Sequence, residues 1–172
     1  ATPAELNSQL SNLLAVREIR ATLAALKAAG SEAQYVTVDV GNEAKLSAAL
    51  ENVRKTWGAI TGLVHGAGVL ADKLIAEKSD EQFDRVFDTK VSGLRALLAA
   101  TAKDPLTAIC LFSSVAARSG NLGQCDYAMA NEVLNLVACT ERARRGASCV
   151  VRAIGWGPWE GGMVTPSLKS HF

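Results

Sequence analysis

Lys90 stands where a charged residue is costly. Phe83, Val86, Phe87, Leu94 and Leu97 fall on one stripe of a helical run. At about 100° per residue, Lys90 falls near the centre of that stripe. A buried ammonium is unfavourable unless it is paired or hydrogen-bonded. Lys90 therefore either points at the core or snorkels to the sheet edge with only its stem buried. The pattern alone favours neither. Tyr127 and Asn131 are four residues apart and so share one helix face. Tyr127 opens that helix after a glycine-containing loop, which lets its ring project toward strand ends. An ordinary amphipathic helix with a boundary tyrosine is the plainer reading of this pair taken alone. Ser113-Ser114 closes an apolar run. Its hydroxyls face the end of a strand, although serine also ends strands as simple turn chemistry. A cation, a phenol, an amide and a hydroxyl are hydrogen-bonding and acid–base groups, and each alone is a weak signal.

The elements that must position them alternate along the chain. Thr2-Pro3-Ala4-Glu5 reads as a capping box with proline at the first helical position. Leu6, Leu10, Leu13, Ile19, Leu23 and Leu26 follow at helical spacing up to Gly30. Gln34–Val40 is β-branched and predicts a strand. Glu43–Trp57 predicts a helix closed by Gly58. Ile60–His65 predicts a short buried strand broken by Gly66-Ala67-Gly68. Ser79 and Gln82 form a second capping box, with a helix behind it to about Ala102. Leu106–Ser113 predicts a strand, Gln124–Arg145 a long helix ended by Gly146, and Cys149–Ile154 a strand. The tail from Gly155 is rich in Gly and Pro and reads as a loop or lid.

Strands separated by helices of this length imply parallel βαβ units. The fold class expected is α/β, a doubly wound, Rossmann-like parallel sheet. Near-continuous apolar strands fit a sheet covered on both faces. Ligands of such sheets bind beyond the carboxyl ends of the strands. Those ends are Asp39-Val40, His65-Gly66-Ala67, Ser113-Ser114 and Gly155-Trp156-Gly157.

Bulk properties narrow the classes. The 172 residues are 49% hydrophobic, enough for one domain with a core. The net charge is +1 and no basic run stands out, so nucleic acid is not the expected partner. No apolar stretch approaches the roughly 18–20 residues of a membrane span, and the polar N-terminus lacks a signal-like apolar region. The expected location is the cytoplasm, with no membrane partner. The four cysteines, Cys110, Cys125, Cys139 and Cys149, have no metal-site or disulfide spacing, and no metal is expected.

The combination of residues is more specific than its parts. The segment LFSSVAARSGNLGQCDYAMAN resembles the active-site segment of ketoreductases embedded in polyketide and polyunsaturated fatty acid synthases, members of the short-chain dehydrogenase/reductase superfamily. In that segment a Ser-Ser ends a strand, tyrosine lies thirteen residues after the second serine, and asparagine lies four beyond it. Lys90 stands 24 residues before Ser114, as the lysine of these ketoreductases does. Most free-standing members carry lysine four after the tyrosine; here that place is Asn131. The exchange is typical of synthase ketoreductases. The resemblance covers about Ala15 to Phe172, with 1–30 as an insertion and helix, 31–154 as the βαβ core and 155–172 as nicotinamide loop and lid. The opening TPAELNSQLSNLLAVREIRATL is similar to an insertion of polyunsaturated fatty acid synthases.

What the resemblance implies is NADPH-dependent reduction of a 3-oxoacyl thioester carried on an acyl carrier protein. Tyr127 supplies the proton, Lys90 stabilises the phenolate left behind and holds the nicotinamide ribose, Ser114 hydrogen-bonds the ketone oxygen, and Asn131 orients Lys90. Asp39 and Val40 are expected near the adenine. His65, Gly66 and Ala67 resemble the family's Asn-Asn-Ala turn, with His65 structural or cofactor-lining rather than an acid–base group. Gly157, Pro158 and Trp159 match the segment that contacts the carboxamide, and Gly162-Met163 the start of the lid. A Leu-Asp-Asp motif marks the (3R) stereochemical type; here it reads Leu70-Ala71-Asp72, keeping Asp72 for stereocontrol beside Met163. The tryptophan of the opposite type falls at Ser119.

The chain departs from the pattern at its start. No G-x-G-x-x-G turn precedes Gln34, and such a turn holds the pyrophosphate. By the family's strand order, 3-2-1-4-5-6-7, the chain holds strands three to six and lacks its first βαβ unit. The expectation is that a missing N-terminal fragment or neighbouring synthase domains complete the fold and that these residues alone are not a competent reductase. The alternative is a non-catalytic ketoreductase-like scaffold piece, against which the intact tetrad argues. A methyltransferase-like domain would leave Tyr127 and Lys90 unexplained.

Overall fold

Three of the four long helices begin at a side chain that accepts from a free backbone amide of the first turn. The structure, a computed structural model, describes residues 2–159 and divides into two units, Ala1–Thr37 and Val38–Phe172. In the first unit, helix α1 spans Pro3–Ala28. Thr2 Oγ1 accepts from the Glu5 amide at 3.3 Å, and the Thr2 amide donates to Glu5 Oε2 at 2.7 Å. This is the capping box expected from the sequence. Gly30, at φ +80°, turns the chain out of the helix.

In the second unit, α2 spans Glu43–Trp57, β1 Gly62–His65, α3 Asp80–Ala100 and β2 Ala108–Ser114. The short α4, Ala116–Ser119, precedes α5, Cys125–Arg145, and β3, Val150–Trp156. Ser79 caps α3 with its own capping box to Gln82. Gly58 and Gly146, at φ +83° and +59°, end α2 and α5 at the positions expected. Arg54 fastens the end of α2: Nη2 donates to Asp104 Oδ2 and to the Ala100 carbonyl, both at 2.6 Å.

The three strands are parallel in the order β1-β2-β3. Register runs from Gly62↔Ala108 to His65↔Leu111, and from Ala108↔Val150 to Ser114↔Trp156. The crossovers are α3 and α5, which pack through Leu94, Leu134 and Ala138 onto Leu63, Ile109, Leu111 and Val151. These side chains form the core. Burying aliphatic groups of this kind contributes about 1.5–3 kcal/mol each.

One expectation needs correction. Gln34–Val40 forms no strand: the stretch has no sheet partner, its residues 34–39 carry no regular structure, and Val40 begins a turn. β-branched content suits a pleated surface but cannot supply the neighbouring backbone that a strand requires. Asp39 is therefore not at a strand end. Its Oδ1 accepts from the Gly41 amide at 2.9 Å and its carbonyl from the Asn42 amide, making a turn into α2. The parallel α/β sheet is of the Rossmann-like class expected, and in this three-stranded portion of it the helices α3 and α5 lie on one face. Among the described residues, Val64 and Val150 on the opposite face are 65% and 58% exposed. Strands added successively in one direction through right-handed crossovers place all their helices on one side. A covered second face requires the strand order to reverse, and among the described residues it does not.

Candidate active site at the strand ends

Lys90 is the centre of the site. Its stripe position on α3 does face the core: the residue is 4% exposed. β1 ends at His65, opposite Leu111, one residue before Phe112. The Phe112 carbonyl accepts from Lys90 Nζ at 3.1 Å. The same ammonium stands over the ring of Tyr127, 5.5 Å from its centroid, within the range of a cation–π contact. Loss of hydration inside the fold pulls the Lys90 pKa down to about 8. The snorkelling alternative does not apply.

Tyr127 is the third residue of α5 and half-buried. Asn131, one turn on, is completely buried. Its Nδ2 donates to the Tyr127 carbonyl at 2.8 Å, while its Oδ1 has no hydrogen-bond partner. A buried amide oxygen without a donor is costly, so this atom is an acceptor waiting for a water or a ligand group. Ser113 Oγ donates to the Asn131 carbonyl at 3.0 Å and ties the end of β2 to α5. Ser114 is the last residue of β2. Its Oγ accepts from the Ala116 amide at 3.2 Å, helping to start α4. Lys90 thus meets Tyr127, Tyr127 is tied to Asn131, and Ser114 follows Ser113, which is bonded to the Asn131 carbonyl.

His65 is buried, and its Nε2 bonds the Lys90 carbonyl at 2.9 Å. A carbonyl can only accept, so Nε2 carries the proton. Burial lowers the His65 pKa, the Lys90 charge lowers it further, and the bond to the Lys90 carbonyl opposes both. The ring is a neutral brace under Lys90. Gly66 lies beside the Phe112 ring, 3.6 Å from where a Cβ would be, and Ala67 is half-buried next to it. Val40 packs on α3: a Cβ at Gly93 would stand 2.9 Å from Val40 Cγ2 and 3.7 Å from His65 Cε1. Gly157, Pro158 and Trp159 follow β3 in extended chain. Trp159 meets Trp156 edge-on at 5.0 Å, and both lie near Phe112, at 6.3 and 5.4 Å. Met163 and the rest of the lid lie outside the described residues.

Several contributors escaped the sequence reading. Lys78 and Asp126 form a buried ion pair at 2.7 Å. Gln124 Nε2 donates to Asp72 Oδ2 at 3.0 Å, so the exposed Asp72 has a fixed partner three residues before Tyr127. Gly93 makes room for Val40. The sequence offered a hint only for Asp126, an acidic residue in the first turn of the tyrosine helix.

The residues present fit the nicotinamide end of a dinucleotide. Lys90 has three donors, of which the Phe112 carbonyl takes one, and Asn131 Oδ1 is open. An aromatic trio borders the same strand ends. For the pyrophosphate, no G-x-G-x-x-G turn occurs among the described residues; the turn after β1 reads Gly66-Ala67-Gly68-Val69-Leu70-Ala71.

Comparison with known proteins agrees with this geometry. The chain is 42% identical over 172 residues to a polyunsaturated fatty acid synthase protein of a Thraustochytrium species, covering 99% of this chain and 6% of that protein. It is 38% identical over 113 residues to the polyketide synthase PksL of Bacillus subtilis, covering 66% of this chain and 2% of that one. Among solved structures, an N-terminal ketoreductase from the macrolactin assembly line superposes with a TM-score of 0.79 at 33% identity, over 86% of this chain and 30% of that chain. A ketoreductase domain from the bacillaene assembly line gives 0.78 at 33% identity, over 87% and 37%. The chain therefore spans a small fraction of these synthases and about a third of the solved ketoreductase chains. The family model described as the KR domain matches residues 10–161, and the chain belongs to the KR domain family.

Proposed function

We propose that this chain forms the catalytic part of a ketoreductase that reduces a 3-oxoacyl thioester on an acyl carrier protein, with NADPH, to the (3R)-hydroxyacyl thioester. The observation that carries this reading is the buried Lys90 ammonium over the Tyr127 ring, with the unpartnered Asn131 oxygen one turn along the tyrosine's own helix. A scaffold gains nothing from a desolvated cation held against a phenol.

NADPH, when bound, would supply hydride to the ketone carbon. As the C=O π bond breaks, negative charge gathers on the ketone oxygen. Tyr127 donates its phenolic proton to that oxygen and closes the O–H bond. Lys90 stabilises the resulting phenolate electrostatically and offers its remaining donors to the nicotinamide ribose. Ser114 donates to the ketone oxygen once its hydroxyl hydrogen turns toward the substrate. Asn131 Oδ1 receives a water or Lys90 itself and steadies the ammonium. Asp72, held by Gln124, lines the substrate side and supports the (3R) assignment. Asp39 and Val40 lie toward the adenine, with His65, Gly66 and Ala67 along the cofactor, and Gly157, Pro158 and Trp159 border the carboxamide.

The test uses the complete protein that carries this chain, with a 3-oxoacyl thioester and either NADPH or NADH. Chiral chromatography of the product should show mainly the 3R alcohol, formed faster with NADPH. Mainly 3S product overturns the stereochemical assignment. No turnover with either cofactor favours the scaffold reading.

A further inference from the structure

A buried ion pair outside the reaction scheme lies beside Tyr127. Lys78 Nζ and Asp126 Oδ2 are 2.7 Å apart, with side chains 3% and 2% exposed. The ammonium also donates to the Ala71 carbonyl at 2.6 Å, and Asp126 Oδ1 accepts from the Tyr127 amide at 2.9 Å. Removing two charges from water is expensive, and apolar replacements of similar volume often serve stability equally well. The pair therefore calls for a purpose other than stability.

Its surroundings indicate that purpose. The segment from Leu70 to Lys78 links the carboxyl end of β1 to the cap of α3. It is fastened to the residues just before Tyr127 at three points: the Lys73 amide donates to the Gly123 carbonyl at 3.0 Å, Gln124 reaches Asp72, and Lys78 meets Asp126. Gly123 sits at φ +79°, and a Cβ there would lie 3.4 Å from the Lys73 amide nitrogen, so the approach is tight. Arg85 of α3 holds the far end through the Leu70 carbonyl at 3.2 Å. The Lys78–Asp126 pair is the buried fastening of the three, and it also grips the Tyr127 backbone.

We propose that Lys78 and Asp126 are positioning residues: their ion pair clamps the 70–78 segment to the first turn of α5, and the clamped segment decides which face of the 3-oxo carbonyl meets Tyr127. This rests on the reductase reading. With the proton donor held fixed, selectivity depends on the wall that limits how the substrate lies against it. The 70–78 segment borders Tyr127 on the side from which α5 begins. A wall left free to shift admits the second orientation.

The experiment compares the complete protein with the double variant Lys78→Met/Asp126→Leu, which removes both charges at similar volume, and with Asp126→Asn, which keeps the shape and loses the charge. Hydrogen exchange at the Lys73 amide and the 3R:3S product ratio are read together with kcat and KM. In both variants exchange should quicken and the ratio should fall about tenfold, equivalent to about 1.4 kcal/mol, with KM raised more than kcat is lowered. Lys78→Arg, which keeps the charge, should keep the wild-type ratio. Faster exchange with an unchanged ratio overturns the selectivity role, and unchanged exchange overturns the clamp. A wild-type protein that turns over no 3-oxoacyl thioester overturns the reductase reading instead, a result distinct from either.

Discussion

Lys90 Nζ stands 5.5 Å from the centroid of the Tyr127 ring, although α3 carries one residue and α5 the other. The cation faces the ring while its hydrogen bond goes to the Phe112 carbonyl. Strand, helix and helix thus meet at one ammonium.

Tyr127→Phe removes the phenolic proton and keeps the ring under Lys90. In the complete protein, reduction should fall by about 100-fold or more, the usual scale for losing a general acid. NADPH affinity measured by titration should change less than about twofold, since the cation–π contact remains. Retained turnover would remove Tyr127 from its role.

Lys90 titrates near 8 because burial disfavours its charged form. The reductase reading needs the charged form, so kcat/KM should be level below about pH 8 and decline above it. Stability moves the other way. The unfolded lysine keeps its proton to about 10.4, so the cost of burying the cation is full below 8 and is relieved as pH rises from 8 toward that value. Lys90→Met should lower activity yet raise the urea midpoint at pH 7. A lower midpoint there would show that the Phe112 bond outweighs desolvation.

His65 is buried with a lowered pKa. Its contribution to stability is full above the unfolded value of about 6.5. It is lost as pH falls below that and through the lower folded value, where the ring must charge inside the fold. His65→Phe should weaken the protein at pH 8, through the lost bond to the Lys90 carbonyl, and flatten the loss of stability between pH 7 and 5. Urea midpoints across that range measure both. An equally steep loss in the variant would assign it to the carboxylates.

Gly93→Ala places a methyl 2.9 Å from Val40 Cγ2, and Val40 must move. On the proposed reading the change weakens NADPH about fivefold, or about 1 kcal/mol, with kcat nearly kept. Cofactor titration decides; unaltered affinity would place Val40 away from the adenine.

The helices were legible because their ends carry local chemistry: Thr2 with Glu5, Ser79 with Gln82, and glycines at positions 30, 58 and 146. Lys90 was legible as a misfit on an apolar stripe; helical spacing put Tyr127 and Asn131 on one face, but only the resemblance singled them out. Gln34–Val40 misled because β-branched content reports suitability for a sheet, while a strand also needs a neighbour. The Lys78–Asp126 pair stayed hidden because its partners are 48 residues apart and each alone looks like a solvated charge. Asp72 was singled out by resemblance, but its partner Gln124 emerges only when the 70–78 segment folds back on the start of α5.

The placement of lysine on α3 rather than four residues after Tyr127 changes what keeps the site aligned. Two groups one turn apart on a single helix stay aligned however that helix moves. Here the donor and its cation keep their distance only while α3 and α5 hold their mutual register, which Leu94 and Leu134 maintain in the shared core. A slip of one helix past the other by a single turn, about 5.4 Å, would uncouple them with every side chain intact. Turnover should thus be sensitive to substitutions deep between the two helices, where no substrate reaches.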